Sequence, residues 1–523
     1  MAKQKVITAQ QAAELIRDGD TLAIAAFAGG SGLAEEVCAA IEKRFLDTGK
    51  PNDLTLMAAS GNGDGTVGPF ANNHFAHTQM LSRVIAGHVG LSKRFANMIA
   101  ENDVAAWNFP QGVVTHLYRA AAGRKPGVLT HVGLGTFADP RLEGGKMNSS
   151  ATENLVEVVN INGEDKLLYK TIPITVGIIR GTTADELGNL TMEHEALITE
   201  ALHVAEAAKN SGGIVIAQVK RLAKRGSLNP KDVQVPGIMV DYIVVAQPGS
   251  QKMNAIVDYN PSYSGELKVP VDAIPPLEMG LRKLIAKRCA LELRPGQIIN
   301  LGIGVPEGVA AVALEEEIND QIYLTIESGV IGGVPAPGLS IGAAANADAI
   351  ISHPNIFDFY DGGGLDLAYL GLAQVDRNGN INVSKFNGRM VGCGGFVNIT
   401  QNAKAVIFCG SFTAGRSKIE ITGEGISIIE DAPGIKFVEQ VEQITFSGSY
   451  ARHVGQPVLY ITERAVFRLV ESGLELIEIA PGVDLEQDVL GMMKFKPAIS
   501  PALKQMDVRI FKNTVMHLKE FFV

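Results

Sequence analysis

The chain has 523 residues, 46% of them hydrophobic, and carries a formal net charge of −10. At roughly 100–200 residues per domain it should fold as two or more domains, and its acidic balance argues against nucleic acid or an anionic membrane as the main partner. The four cysteines (Cys38, Cys289, Cys393 and Cys409) form no C-x-x-C pair, Met1 to Thr8 lacks the apolar core of a signal peptide, and apolar runs such as Thr21 to Ala28 fall far short of the ~20 residues of a membrane helix. A reducing cytoplasm is therefore expected, with neither a structural zinc nor a disulfide framework.

Thr8 reads as a helix N-cap, and Ala9 to Ile16 as a helix with Ala12, Ala13, Leu15 and Ile16 on its apolar side. Asp18-Gly19-Asp20 turns the chain into a buried strand, Thr21 to Phe27. That strand runs into Ala28-Gly29-Gly30-Ser31-Gly32 and a helix from Leu33 to Phe45, an order that can hold an anion at the helix start. Alone it is a weak signal, because many α/β turns share it and bind nothing. A strand at Leu54 to Met57 precedes the polar loop Ser60 to Gly65. A strand from Arg83 to His88, a helix to Asn102 and a helix from Val113 to Ala122 continue the alternation. His88 and His116 have no further ligand at a metal-like spacing, so no metal site is expected. The loop Thr136 to Lys146 contains Gly144-Gly145-Lys146 but does not meet the phosphate-loop pattern GxxxxGK[ST]. Val156 to Asn160 and Leu167 to Tyr169 suit a hairpin about Asn162-Gly163.

From here the chain repeats itself. A strand from Ile174 leads to Asp185-Glu186-Leu187-Gly188-Asn189-Leu190, and a later strand from Leu367 leads to Asp376-Arg377-Asn378-Gly379-Asn380-Ile381. The neighbours run in the same order: Ile214 to Val219 parallels Ala405 to Gly410, and Pro236 to Val245 parallels Pro457 to Phe467. Upstream, Arg17-Asp18-Gly19-Asp20 parallels Arg294-Pro295-Gly296-Gln297. Order-preserving parallels imply a duplicated domain, with an insertion in the first copy over roughly Ala86 to Tyr169. A stretch with Pro248, Pro261, Pro270, Pro275 and Pro276 separates the copies. The expected organisation is a first domain over 1–246, a linker over 247–276 and a second domain over 277–523, which opens on a helix from Met279 to Leu293.

The second copy carries the candidate chemistry. Gly302-Ile303-Gly304-Val305-Pro306 follows a strand and opens a helix from Val309 to Glu317; its third dinucleotide-type glycine is missing. Ile322 to Ile326 reads as a strand that ends at Glu327-Ser328-Gly329, with Gly332 and Gly333 just beyond. A carboxylate at the carboxyl end of a strand sits where open α/β sheets place their ligands, and the glycines would let a ligand approach the backbone. Two more glycine-rich loops are expected at Phe357 to Asp366 and Val391-Gly392-Cys393-Gly394-Gly395-Phe396. Together these loops favour a site lined by backbone.

The motifs Gly302-x-Gly304-x-Pro306, Glu327-Ser328-Gly329-x-x-Gly332-Gly333, Phe357-Asp358-Phe359-Tyr360-Asp361-Gly362-Gly363-Gly364-Leu365-Asp366 and Gly392-Cys393-Gly394-Gly395-Phe396 resemble those of the family I coenzyme A-transferases, specifically the single-chain acetate/propionate type. The resemblance covers the whole chain. It implies two duplicated open-sheet α/β domains, α-subunit-like and β-subunit-like, with the active site between them. Two departures stand out. Other branches have Ser-Glu-Asn-Gly where this chain has Ile326-Glu327-Ser328-Gly329, and the glycine loop of the first half is preceded by Ala26-Phe27-Ala28.

The activity so implied is transfer of coenzyme A between a short-chain acyl-CoA (acetyl-, propionyl- or butyryl-CoA) and a free short-chain carboxylate. Glu327 would be the nucleophile of a ping-pong reaction through a glutamyl-CoA thioester. Backbone N–H groups of Gly302, Gly304 and Val305, and of Gly392, Gly394 and Gly395, are the expected contacts to CoA and to the oxyanions. No metal and no cofactor is expected, since the coenzyme A thioester is a substrate. Acyl-CoA and carboxylic acids are the expected partners, with no nucleic acid and no membrane, and the expected state is a homo-oligomer, dimer or tetramer. The alternative is a nucleotide-dependent α/β dehydrogenase, which the missing third glycine disfavours.

Overall fold

The structure, a computed structural model, describes residues 5–270 and 276–522. Met1 to Gln4 and, within the expected linker, Val271 to Pro275 lie outside the described residues. Among the described residues two compact units form: one is drawn from 1–269, 327–358 and 388–398, the other from 270–326, 359–387 and 399–523.

The sheet of the first unit runs in the order Val6–Ile7, Tyr242–Val245, Ile214–Ala223, Val176–Asp185, Thr21–Ile24, Leu54–Ala58, Leu81–Ala86, Ala105–Asn108, with every neighbour parallel. Parallel strands need crossovers, and the helices Glu35–Thr48, Lys93–Ala100, Gln111–Ala122 and Ala201–Asn210 lie between them in sequence. Central strands are covered on both faces, which is why Leu54–Ala58 and Val176–Asp185 are buried at every position. Leu22, Ile24, Leu56, Val84, Ile178 and Ile216 anchor this core. Each fully buried aliphatic side chain contributes about 1.5–3 kcal/mol relative to an exposed one.

The second unit repeats the central order. Tyr323–Thr325, Ile298–Leu301, Leu367–Gly371, Ala405–Cys409 and Val458–Ile461 are parallel neighbours. They match Leu54–Ala58, Thr21–Ile24, Val176–Asp185, Ile214–Ala223 and Tyr242–Val245 in turn. Ala465–Val470 and Gly473–Ile479 then continue the sheet antiparallel, and Ala498–Gln505 lies parallel at the end.

The repeated turn shows why Asp-x-x-Gly-Asn occurs twice. Asp185 Oδ1 accepts the N–H groups of Leu187 and Asn189, and its Oδ2 accepts Asn189 Nδ2. Asp376 does the same for Asn378 and Asn380. Each glycine sits in the left-handed region, Gly188 at φ 89° and Gly379 at φ 77°. Even the outer contact is shared: Asn189 Oδ1 accepts the N–H of Gly237, and Asn380 Oδ1 that of Gly448. The insertion of the first copy supplies the edge strand Ala105–Asn108, the helix Gln111–Ala122 and a small antiparallel sheet of Gly127–Thr130, Glu164–Lys170 and Val156–Ile161. Asn162 and Gly163, both at positive φ, make its hairpin turn.

Local expectations shift in three places. The strand that begins at Thr21 ends at Ile24, because Phe27 folds back to Ser31 as its N–H donates to the Ser31 carbonyl. Phe357 to Asp361 is not loop but the end of the helix His353–Asp361, so only the glycines after it remain as loop. Segments 327–358 and 388–398 follow the linker in sequence yet pack within the first unit.

Candidate active site

Glu327 leaves the strand Tyr323–Thr325 after Ile326 and precedes a short antiparallel ladder of Val330–Ile331 against Ala349–Ile350. The glycines that follow it meet protein where a side chain would stand. A Cβ on Gly329 would lie 2.0 Å from Ile351 O, one on Gly332 2.0 Å from Asp348 Oδ2, and one on Gly333 2.4 Å from Ala345 O. Their smallness lets the backbone of Ile351, the backbone of Ala345 and the Asp348 side chain approach the chain here. Ser328 Oγ donates to Gly342 O at 2.5 Å and fixes the chain beside the glutamate.

The Glu327 side chain is partly exposed, but enough protein surrounds it that desolvation pushes its carboxyl above the ordinary value of 4.5, against the opposing pull of His353 and Gln111. Oε2 lies against Gly395, where a Cβ would come within 2.0 Å of it. Oε1 accepts Gln111 Nε2 at 3.4 Å, and Oε2 has no hydrogen-bond partner among the described residues.

The loop Gly392–Gly395 is held by its own amides. Cys393 N–H donates to Asn108 Oδ1 at 3.0 Å, and Gly394 N–H donates to Gly87 O at 2.8 Å. Asn108 is itself fixed by donation to the carbonyls of Ala86 and Gly87. Gly392 at φ 94° and Gly394 at φ 55° supply the left-handed turns. Gly395 N–H has no acceptor among the described residues. Burial pushes the Cys393 thiol far up, so it stays protonated.

Gln111, His353 and Glu200 join Glu327 in the same unit, and no sequence motif points to them. Gln111 starts the helix Gln111–Ala122, with its own N–H on Gly394 O at 2.9 Å. Its Nε2 also lies 2.9 Å from His353 Nε2, and His353 Nδ1 lies 2.8 Å from Glu200 Oε2. The side chains of His353 and Glu200 are completely buried. Their separations in sequence, 242 residues for Gln111 and His353 and 153 for His353 and Glu200, put them beyond any local pattern.

Gly302, Gly304 and Val305 belong to the second unit. Gly302 N–H donates to Tyr369 O at 2.7 Å and so is engaged within the protein, while Gly304 N–H lies near the Glu307 carboxylate. His88 is held neutral, its pKa pushed down to about 4 by burial, and His116 pairs with Asp358 at 3.0 Å. Among the described residues no group of His, Cys, Asp and Glu could hold a metal ion, and no helix is long and apolar enough to cross a membrane.

Residues 6–246 match the family model described as coenzyme A transferase. The chain is 46% identical to caffeate CoA-transferase of Acetobacterium woodii, over 97% of this chain and 98% of that protein. It is 41% identical to acetate CoA-transferase YdiF of Escherichia coli (strain K12), over 98% of this chain and 96% of the relative. The acyl-CoA transferase YdiF of Escherichia coli O157:H7, solved as a thioester complex with CoA, has a TM-score of 0.93 and 40% identity, covering 98% of this chain and 97% of that one. Likeness of this extent along the full length, in sequence and in fold, places the chain in the family I coenzyme A-transferases, as a single-chain member.

Proposed function

We propose that this enzyme moves coenzyme A between a short-chain acyl-CoA and a free short-chain carboxylate, with Glu327 as the covalent nucleophile. The observation that carries the reading is the division of labour between the two Glu327 oxygens. Oε2 is bare and faces Gly395, while Oε1 is held by the Gln111 amide. Family membership displaces the dehydrogenase alternative.

In this reading Oε2 attacks the thioester carbonyl carbon, CoA thiolate leaves, and a mixed anhydride of Glu327 and the acyl group forms. The thiolate then attacks Glu327 Cδ. The acyl carboxylate departs, and Glu327 becomes a CoA thioester. A second carboxylate attacks the same carbon, releases thiolate and forms a new anhydride, and the thiolate takes the new acyl group to regenerate Glu327. Charge is conserved at each step, since one anion attacks and one leaves, so no general base is required.

Each attack on Cδ turns Oε1 into an oxyanion. Gln111 Nε2 is placed to donate to it. A well-aimed donor of this kind contributes about 3–4 kcal/mol. The resting distance of 3.4 Å is long, as hydrogen bonds that tighten in the transition state often are. Partial desolvation of Glu327 strengthens its nucleophilicity. The four free, buried cysteines suit a reducing cytoplasm.

A second acceptor class, an aryl-propenoic acid, is favoured by the 46% identity to the caffeate enzyme. The deciding experiment follows new acyl-CoA by chromatography when acetyl-CoA meets acids of two to six carbons and, separately, caffeate. Short-chain turnover with little caffeoyl-CoA supports the first reading, and the reverse ranking replaces it with the second.

A further inference from the structure

The amide of Gln111 has two N–H bonds and two neighbours that want one. His353 Nε2 lies 2.9 Å from Nε2 and Glu327 Oε1 lies 3.4 Å from it. What decides that the nitrogen, and not the amide oxygen, faces them both is the state of the imidazole. Glu200 Oε2 sits 2.8 Å from His353 Nδ1, with both side chains completely buried. In the neutral imidazole the Glu200 carboxylate accepts the Nδ1 proton, which leaves Nε2 as a lone-pair acceptor. The reversed amide would set its oxygen against that lone pair and against the Glu327 carboxylate at once.

The surroundings hold this arrangement rigidly. Phe27 meets the His353 ring edge-on at 5.3 Å and 75°, and Phe357 meets it at 5.3 Å and 45°. Glu200 Oε1 has no hydrogen-bond partner among the described residues, so His353 is the group to which Glu200 is bound. The backbone just before Glu200 carries strain to put it there. Thr199, a β-branched residue, sits at φ 55°, in a region such residues avoid. Its carbonyl accepts the His353 N–H at 3.1 Å. Strain held by the surrounding structure at such a point is a mark of a constrained site.

We infer that Glu200 and His353 are positioning residues for the transfer reaction, acting on Glu327 through Gln111. The pair fixes one imidazole tautomer, that tautomer fixes one amide orientation, and that orientation keeps a donor aimed at the oxygen that becomes the oxyanion. The inference rests on the reading of Glu327 as nucleophile.

The test uses the full chain with acetyl-CoA and propionate, and compares wild type with His353→Asn, His353→Gln, Gln111→Leu and the double variant Gln111→Leu/His353→Asn. Asparagine can still donate to Glu200 from the place of Nδ1 but withdraws the acceptor from Gln111; glutamine puts an acceptor at the place of Nε2. We expect His353→Asn to lower kcat by about 100-fold, the scale of a lost oxyanion donor, with KM for acetyl-CoA within about twofold. His353→Gln should recover to within about tenfold of wild type, and the double variant should be no worse than Gln111→Leu alone. Losses that multiply in the double variant, or wild-type kcat in His353→Asn, overturn the inference. If His353→Asn melts low, Glu200→Gln and Gln111→Leu/Glu200→Gln supply the same cycle, and multiplying losses there overturn it too. Wild-type enzyme that forms no covalent adduct on Glu327 under acetyl-CoA overturns the nucleophile reading and the inference with it. An adduct that forms on Glu327 in His353→Asn at the wild-type rate overturns the positioning role alone.

Discussion

Glu327 Oε2 and Gly395 are packed so closely that the smallest side chain cannot be added between them. A Cβ on Gly395 would stand 2.0 Å from Oε2 and 2.9 Å from Cδ of the same carboxyl, and 3.1 Å from Phe357 Cζ. Gly395 is not in the left-handed region, so its identity is set by this contact and not by backbone strain. Gly395→Ala should therefore fold normally while pushing the carboxylate aside. Displacing a nucleophile by ~1 Å can cost about 100-fold, and that loss in transfer rate, beside an unchanged melting curve, is the expected result. An alanine variant with full activity would show that Oε2 does not attack from this position.

The partly desolvated charge of Glu327 has a thermodynamic signature. Its carboxyl is raised above 4.5, mainly by desolvation. The folded state thus holds this proton more tightly than the unfolded chain, and the group lowers stability as pH rises from the unfolded value through the folded one. Above that window the ionised form is a constant cost, which Glu327→Gln removes. The glutamine variant should melt at or above the wild-type temperature at pH 7.5, and its advantage should shrink toward pH 4.5. A variant that melts lower than wild type at pH 7.5 contradicts this. Transfer by the wild-type enzyme should also fall off on the acid side at a pKa above 4.5, as the nucleophile gains its proton.

Cys393 stands in the glycine loop near Glu327, but its thiol is buried and its pKa is held far above the range in which a thiolate forms. Cys393→Ala should keep transfer within about threefold of wild type, the loop being fixed instead by the Cys393 and Gly394 amides on Asn108 and Gly87. Loss of activity in a variant that melts normally would give the thiol a part in the chemistry.

The duplication was legible because a turn with fixed chemistry, Asp-x-x-Gly-Asn, occurs in both copies and makes the same hydrogen bonds in each. Glu327 stood out because an alternating apolar strand stops at it. The rest of the site was hidden for a physical reason. Gln111, Glu200 and His353 reach each other only when distant segments pack, and a lone Gln, Glu or His in a sequence carries no period or spacing. The glycines after Glu327 have close neighbours hidden for the same cause: Gly329 and Gly332 pack against Ile351 and Asp348, partners that become visible only in three dimensions.

The central claim is that Glu327 itself becomes the covalent carrier of coenzyme A. Glu327→Gln keeps the shape without the anion and should lose several orders of magnitude in transfer, as other lost covalent nucleophiles do, while Glu327→Asp should transfer poorly and hydrolyse acyl-CoA slowly instead. The most direct measurement incubates wild-type enzyme with acetyl-CoA and no acceptor acid, reduces it with borohydride, and maps the product by peptide mass spectrometry. The account predicts that the peptide containing position 327 carries the reduced glutamate, and that Glu327→Gln yields none. An unmodified Glu327 in enzyme that still transfers coenzyme A, or a reduced carboxyl at another residue, would contradict it.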